Sequence, residues 1–350
     1  MSNLITEKFF STDKAFGERV PAILAEICEI TGFKPEKEIF RGFIYDADKV
    51  GSVIYAGNWR KRRVVLKIQG IKLDLEEADM IRGFEAQNQS EQIRVPEVLW
   101  HLEFDSKYGY GATILSEETG GRFFEMPFAK PGQMRAWAEF YQEYRQRAAR
   151  KPWFNARIES SLLWVTERVK NWRQILESKR SLPLEAYAPY LLKFMDSIAI
   201  QRLRHHPMLF GHRHLTVDDV ICQESQNGMR FVITANLFWD FMPRYYELAF
   251  NVWACLLSVK DTDFGLKPAM EYIDRWLDAY RELELVRQDR HFEQNMLTLL
   301  CERFLGSIMM DLGCGAKFLQ PENAELRRHL VKLHQELFDH YADRLDQLPL

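Results

Sequence analysis

Several features are scarce in this 350-residue chain, and each scarcity removes a class of protein. Cysteine occurs five times, at Cys28, Cys222, Cys255, Cys301 and Cys314, widely spaced and never as CxxC. An odd, scattered set argues against a disulfide framework and a cysteine-ligated zinc site, and for a reducing compartment. No apolar run approaches the ~18 residues needed to span a bilayer. The opening MSNLITEKFFSTDK carries charges within its apolar part and no small-residue cleavage site, so no secretory signal is expected there. Charge of one sign is also lacking: 47 Lys and Arg against 50 Asp and Glu leave a net charge of −3. That balance gives no electrostatic case for nucleic acid or an anionic membrane as partner. Internal repeats, low-complexity tracts, long linkers and a GxxxxGK phosphate loop are all missing. The expectation is a cytoplasmic protein.

What remains is ordinary globular material, 47% hydrophobic and 28% charged, long enough for two lobes. Apolar spacing over 18–30 predicts a helix stopped by Gly32. Strand patterns follow at Ile39 to Tyr45, Ser52 to Ala56 and Arg62 to Gln69, with turns at Asp46 to Gly51 and Gly57 to Lys61. In the third strand Val64, Leu66 and Ile68 face one way, and Val65, Lys67 and Gln69 the other. A mid-strand lysine among apolar neighbours is commonly an edge guard. A helix over Leu75 to Gln89 shows an apolar stripe of Met80, Ile81 and Phe84 with Glu85 beside it. Two more strands, Val98 to Glu103 and Tyr110 to Leu115, flank a turn at 105–109.

The segment Ser116 to Gly121 is the best lobe boundary, because helical periodicity dominates beyond it. Helices are predicted at 132–149, 158–177, 184–204, 267–283, 289–312 and 322–346. Tyr245 to Val259 is apolar nearly all round and reads as a buried helix. The aromatic residues of 123–172 read mainly as core and lobe packing.

One stretch stands apart. Residues 204–221 hold His205, His206, His212 and His214, four of the nine histidines, together with Asp218 and Asp219. In an extended segment His212 and His214 would face the same side, so one reading is a metal-dependent hydrolase using that pair.

The order of these elements resembles the protein kinase-like superfamily, and its aminoglycoside/choline phosphotransferase branch fits best. Val64-Val65-Leu66-Lys67 looks like the third-strand motif V-A-I-K, whose lysine contacts nucleotide phosphates. Glu85 is similar to the helix glutamate that pairs with that lysine. Thr113 to Gly121 resembles the fifth strand and hinge, which places Glu117 and Glu118 beside a nucleotide. Asp46 to Gly51 stands where the glycine-rich loop belongs but contains only Gly51. Against H-R-D-L-x-x-x-N, the segment from His212 matches at His212, Arg213 and Leu215. It departs at His214, in the place of the catalytic aspartate, and at Asp219, in the place of the metal-binding asparagine. Tyr246-Glu247-Leu248-Ala249 is similar to the Y-D-L-A start of the buried helix, and counting back from it puts Ala235 at the metal-binding aspartate. A literal Asp263-Phe264-Gly265 lies after that helix and reads as an ordinary turn.

The resemblance implies an α+β, bilobal kinase-like fold. Its small antiparallel β-rich lobe (1–117) carries one key helix, and a larger helical lobe (118–350) carries a catalytic-loop-like segment at 210–221. It implies ATP as cofactor, contacted by Lys67, Glu85, Glu117 and Glu118, and a small molecule or protein in the interlobe cleft. Magnesium would be poorly held, with Asp219 its one usual protein ligand. A pseudokinase is the first expectation. An unorthodox small-molecule phosphotransferase using His214 as base, with Asp219, is the alternative beside the hydrolase.

Overall fold

The computed structural model describes residues 15–42, 50–73, 75–155, 158–225 and 228–349. The N-terminal stretch read for a signal, the end of the strand expected at Ile39 to Tyr45 and most of the Asp46 to Gly51 turn lie outside the described residues.

Helix α1 (Phe16–Thr31) buries Phe16, Val20, Ile23 and Ile27, and Gly32 ends it in the left-handed region at φ 75°. Only glycine takes that conformation without strain, and its N–H closes the helix on the Cys28 carbonyl. The buried stripe packs on a five-stranded antiparallel sheet ordered β1-β2-β3-β6-β5. Its strands are β1 (Lys34–Gly42), β2 (Ser52–Trp59), β3 (Arg62–Gln69), β5 (Val98–Asp105) and β6 (Tyr110–Ser116). Val64, Leu66 and Ile68 of β3 join Val53, Tyr110, Ala112 and Ile114 in this first core. Strand alternation then fixes Lys67 and Val65 on the opposite face.

The β2–β3 turn is tighter than the sequence suggests. Strand β2 runs through Gly57 to Trp59, and Arg60 and Lys61 alone make the turn, at φ 49° and 66°. Gly57 serves closeness instead: a Cβ there would meet the Phe33 ring and the Lys34 carbonyl.

Helix α2 (Glu77–Gln87) links β3 to β4 (Ile93–Arg94). Beyond β6 come helices α3 (Pro131–Glu143) and α4 (Ser161–Lys179), then shorter helical segments from Ala188 to Leu203. Strands β7 (Met208–His212), β8 (Val220–Ser225), β9 (Gly228–Ile233) and β10 (Trp239–Pro243) follow. Helices α5 (Tyr246–Leu257), α6 (Leu266–Arg281), α7 (Phe292–Gly306) and α8 (Ala324–Asp346) close the chain. α5 and α7 are buried on nearly every side and form the centre of the second, larger core.

Part of the histidine-rich stretch 204–221 is strand. β7 pairs antiparallel with β10, setting His212 opposite Trp239, and β4 runs parallel to β9 in a three-stranded sheet with β8. β4 and β9 come from opposite sides of the 116–121 boundary, so this small sheet ties the β-rich lobe to the helical one. Among the described residues no helix is long and apolar enough to cross a membrane.

Candidate nucleotide cleft and catalytic-loop segment

Lys67 Nζ lies 2.5 Å from Glu77 Oε2, and both side chains are largely shielded, at 20% and 6% exposure. Glu85, the expected partner, is exposed on the flank of α2. The helix phase explains the correction. Glu77, Ile81 and Phe84 (i, i+4, i+7) lie on one stripe, which packs inward. Glu85 is two turns further on, about 12 Å along the axis and rotated off that stripe. The signal was present in the sequence: Glu77 lies at the centre of the stripe defined by Ile81 and Phe84, and Glu85 at its edge. α2 is held by aromatic contacts, since Phe84 stacks on Trp239 at 5.0 Å and meets Trp153 edge-on at 6.1 Å.

At the hinge, Glu117 Oε2 accepts from Arg63 Nε at 2.8 Å, and Glu118 accepts from Ser116 Oγ at 2.6 Å and Gln223 Nε2 at 3.1 Å. Gly121 exchanges two backbone hydrogen bonds with Cys222. Both expected nucleotide carboxylates therefore tie the hinge, to β3 and to β8.

His212 is fully buried at the end of β7. Its N–H is directed at Tyr144 Oη (2.9 Å) and Glu247 Oε1 (2.6 Å). Its ring uses both nitrogens: Nε2 is 3.2 Å from the Ala235 carbonyl, and Nδ1 is 3.3 Å from the His214 N–H. Nδ1 can accept only when Nε2 carries the proton, so this network assigns the neutral tautomer. Burial agrees, pushing the pKa down to about 3. Such an imidazole is a bracket between β7 and the segment after β9. Neither nitrogen is left for a metal.

The His214 ring stacks on Phe250 with centroids 4.9 Å apart. Burial, then the positive fields of Arg213, Arg168 and Arg303, hold its pKa well below the ordinary value. It is neutral at pH 7, but its low basicity gives little driving force for taking a hydroxyl proton.

Asp219 closes its own turn. Oδ2 accepts from Thr216 N (2.8 Å) and Thr216 Oγ1 (2.7 Å), and Oδ1 accepts from Asn236 Nδ2 (3.1 Å). Its carbonyl accepts from Thr234 N at 2.7 Å. Burial outweighs these donors and raises its pKa to about 7. Asp218 points outward to Arg122 at 2.7 Å. Ala235, beside this latch, offers only a methyl group. A magnesium ion therefore fits poorly here, with one carboxylate already saturated by donors and none at 235. Among the described residues no cluster of three or more His, Cys, Asp or Glu could hold a metal. Asp263-Phe264-Gly265 makes the turn into α6, as expected.

A groove of about 740 Å³ lies between α3 and α6, lined by Arg135, Glu139, Arg275 and Asp278 among others. It contains none of the residues above.

No protein-family model and no curated protein sequence matches this chain. Solved structures do. Amicoumacin kinase hAmiN, in complex with AMP-PNP, calcium and Ami, superposes with a TM-score of 0.57 at 14% identity, covering 91% of this chain and 93% of that one. Aminoglycoside phosphotransferase APH(4)-Ia, with ADP and hygromycin B, gives 0.55 at 12%, covering 93% and 97%. A microcompartment-associated aminopropanol kinase gives 0.53 at 10%, covering 93% and 98%. The chain has the kinase-like fold of the aminoglycoside phosphotransferases and related kinases. Each match extends over more than nine-tenths of both proteins. At such low identity the likeness speaks for the fold alone.

Proposed function

We propose that this chain is a nucleotide-binding pseudokinase, with 1–117 and 118–350 as its two lobes and a second ligand site between them. One observation carries the reading. The phosphate-facing pair Lys67–Glu77 is intact, while the positions that would hold magnesium are Ala235 and a self-capped Asp219. A lysine fixed by a carboxylate meets phosphates with a defined charge. Without well-held metal the charge between the phosphates stays unneutralised, and transfer is disfavoured. Nucleotides in the structural neighbours support ATP as the ligand. Their small-molecule substrates support a small molecule as the second partner.

The transferase alternative needs His214 as base, and its depressed basicity weighs against that. The hydrolase alternative needs a free nitrogen on His212, and both are engaged.

Thermal-shift titration with ATP, with and without magnesium, tests the proposal alongside an ATP-turnover assay. Saturation at 100 times Kd adds about 2.7 kcal/mol of stability. The expected result is ATP stabilisation that magnesium barely changes, lost in Lys67→Ala, with no turnover above background. Robust turnover abolished by His214→Ala would overturn the pseudokinase reading and make His214 a working base.

A further inference from the structure

Three arginines from separate parts of the chain gather within electrostatic reach of His214. Arg168 comes from α4, Arg303 from α7, and Arg213 from the catalytic-loop segment itself. The first two are caged by aromatic rings. The Arg168 guanidinium lies 4.2 Å from the Trp164 ring centre and 5.0 Å from Trp172. Arg303 lies 5.0 Å from Trp172, 5.1 Å from Trp253 and 5.7 Å from Phe250.

Three carboxylates stand against the three cations, but they engage them unevenly. Glu302, fully buried, takes two hydrogen bonds from Arg303, at 2.5 and 3.1 Å. Arg168 Nη1 is 3.4 Å from the same carboxylate, within ion-pair range but outside hydrogen-bond geometry. Arg213 reaches Asp240 only at 3.9 Å. Asp311 is within electrostatic reach of Arg303. Among the described residues, the buried Nη1 of Arg168 and Nε of Arg213 have no hydrogen-bond acceptor. Unsatisfied donors on buried cations are costly, and an arriving acceptor removes that cost. The stacked His214 and Phe250 rings, each only half-buried, lie beside this cluster, with the Arg303 guanidinium 5.7 Å from the Phe250 ring. The Arg213 side chain keeps 12% exposure.

We propose that this corner of the cleft binds a small oxyanion, a carboxylate or a phosphate monoester, which enters beside His214 and Phe250 and takes the free donors of Arg213 and Arg168. The guanidinium fork matches such a group bidentately, and the aromatic rings supply a flat apolar wall for the rest of the molecule. A polycationic amino sugar would bring further donors to groups that need an acceptor, and is expected to bind poorly here. The inference deepens the proposed function by naming the class of its second ligand, and it rests on that reading only for calling the place a cleft.

The test uses the full-length, nucleotide-free protein titrated with inorganic phosphate, glucose 6-phosphate, citrate and kanamycin, against sodium chloride at matched ionic strength. Thermal shift reads binding, and NMR reads the ring signals of His214, assigned with His214→Gln. The expected result is stabilisation by at least one oxyanion above the chloride control, movement of the His214 signals, and no effect of kanamycin. Glucose 6-phosphate and citrate separate the phosphate from the carboxylate case. Arg213→Gln should weaken the response at least tenfold, and Arg213→Lys should recover part of it. Equal responses to chloride, stationary His214 signals, or a response unchanged in Arg213→Gln would overturn the proposal. Should Arg213→Gln not fold, the wild-type NMR shifts decide alone. Lys67→Ala should keep the anion response, and Arg213→Gln should keep ATP binding. Loss of ATP binding everywhere with the anion response intact would therefore sink the nucleotide reading and leave this one standing.

Discussion

Glu77 Oε2 stands 2.5 Å from Lys67 Nζ, on the buried stripe of α2. Removing its charge while keeping its shape should free the lysine. Glu77→Gln is expected to weaken ATP binding about tenfold, the effect of losing roughly 1.4 kcal/mol. Glu85→Gln, on the exposed flank, should leave affinity unchanged. Fluorescent-ATP titration of the two variants side by side checks this, and equal losses would contradict the assignment.

The buried Asp219 makes stability depend on pH. Its folded pKa of about 7 lies above the ordinary 3.8, so the folded state binds the proton more tightly. That contribution is complete below pH 3.8 and is lost as pH rises through 7. Asp219→Asn, which does not titrate and can still accept from Thr216, should gain on wild type over this window. By pH 8 the gain reaches on the order of 4 kcal/mol. Urea denaturation of both proteins at pH 5 and pH 8 measures it. A difference that does not grow with pH would show that Asp219 is not held this way.

The contact between α2 and the helical lobe leaves no room at Gly83, where a Cβ would strike the Trp153 indole. Gly83→Ala should cost about 1–3 kcal/mol through overpacking, although alanine is the better helix former. Combining it with Trp153→Phe should recover part of that loss. Denaturant midpoints of the single and double variants decide the point.

Restoring carboxylates tests whether the scaffold or the residue types limit chemistry. The double variant His214→Asp, Ala235→Asp places one carboxylate in the field of Arg213, Arg168 and Arg303, and another beside Asp219. It is expected to gain magnesium-dependent ATP affinity, read by titration with and without magnesium, and slow hydrolysis with water as acceptor. Unchanged affinity in a folded double variant would place the defect in the scaffold.

The sequence alone was enough for the order of the long helices and of the five strands in the N-terminal sheet, the change from sheet to helix near residue 116, and the face of β3 on which Lys67 lies. These follow from local periodicity, since strand alternation and helical stripes are written in adjacent residues. It also exposed the departures at His214, Asp219 and Ala235, because a motif compares residues a few positions apart. The stripe that carries the partner of Lys67 is written in the sequence, but which side of α2 meets the lysine was decided by tertiary packing. Phe84 must stack on Trp239, more than 150 positions away in the chain, and that contact sets the helix phase that turns Glu77 inward and Glu85 outward. The strand pairing of β7 with β10 depends likewise on a distant partner, as does the use of both His212 nitrogens. The arginine cluster is the extreme case. Arg168, Arg213 and Arg303 lie on three elements with no shared pattern, and only the packing of α4, α5 and α7 around one core brings their charges together.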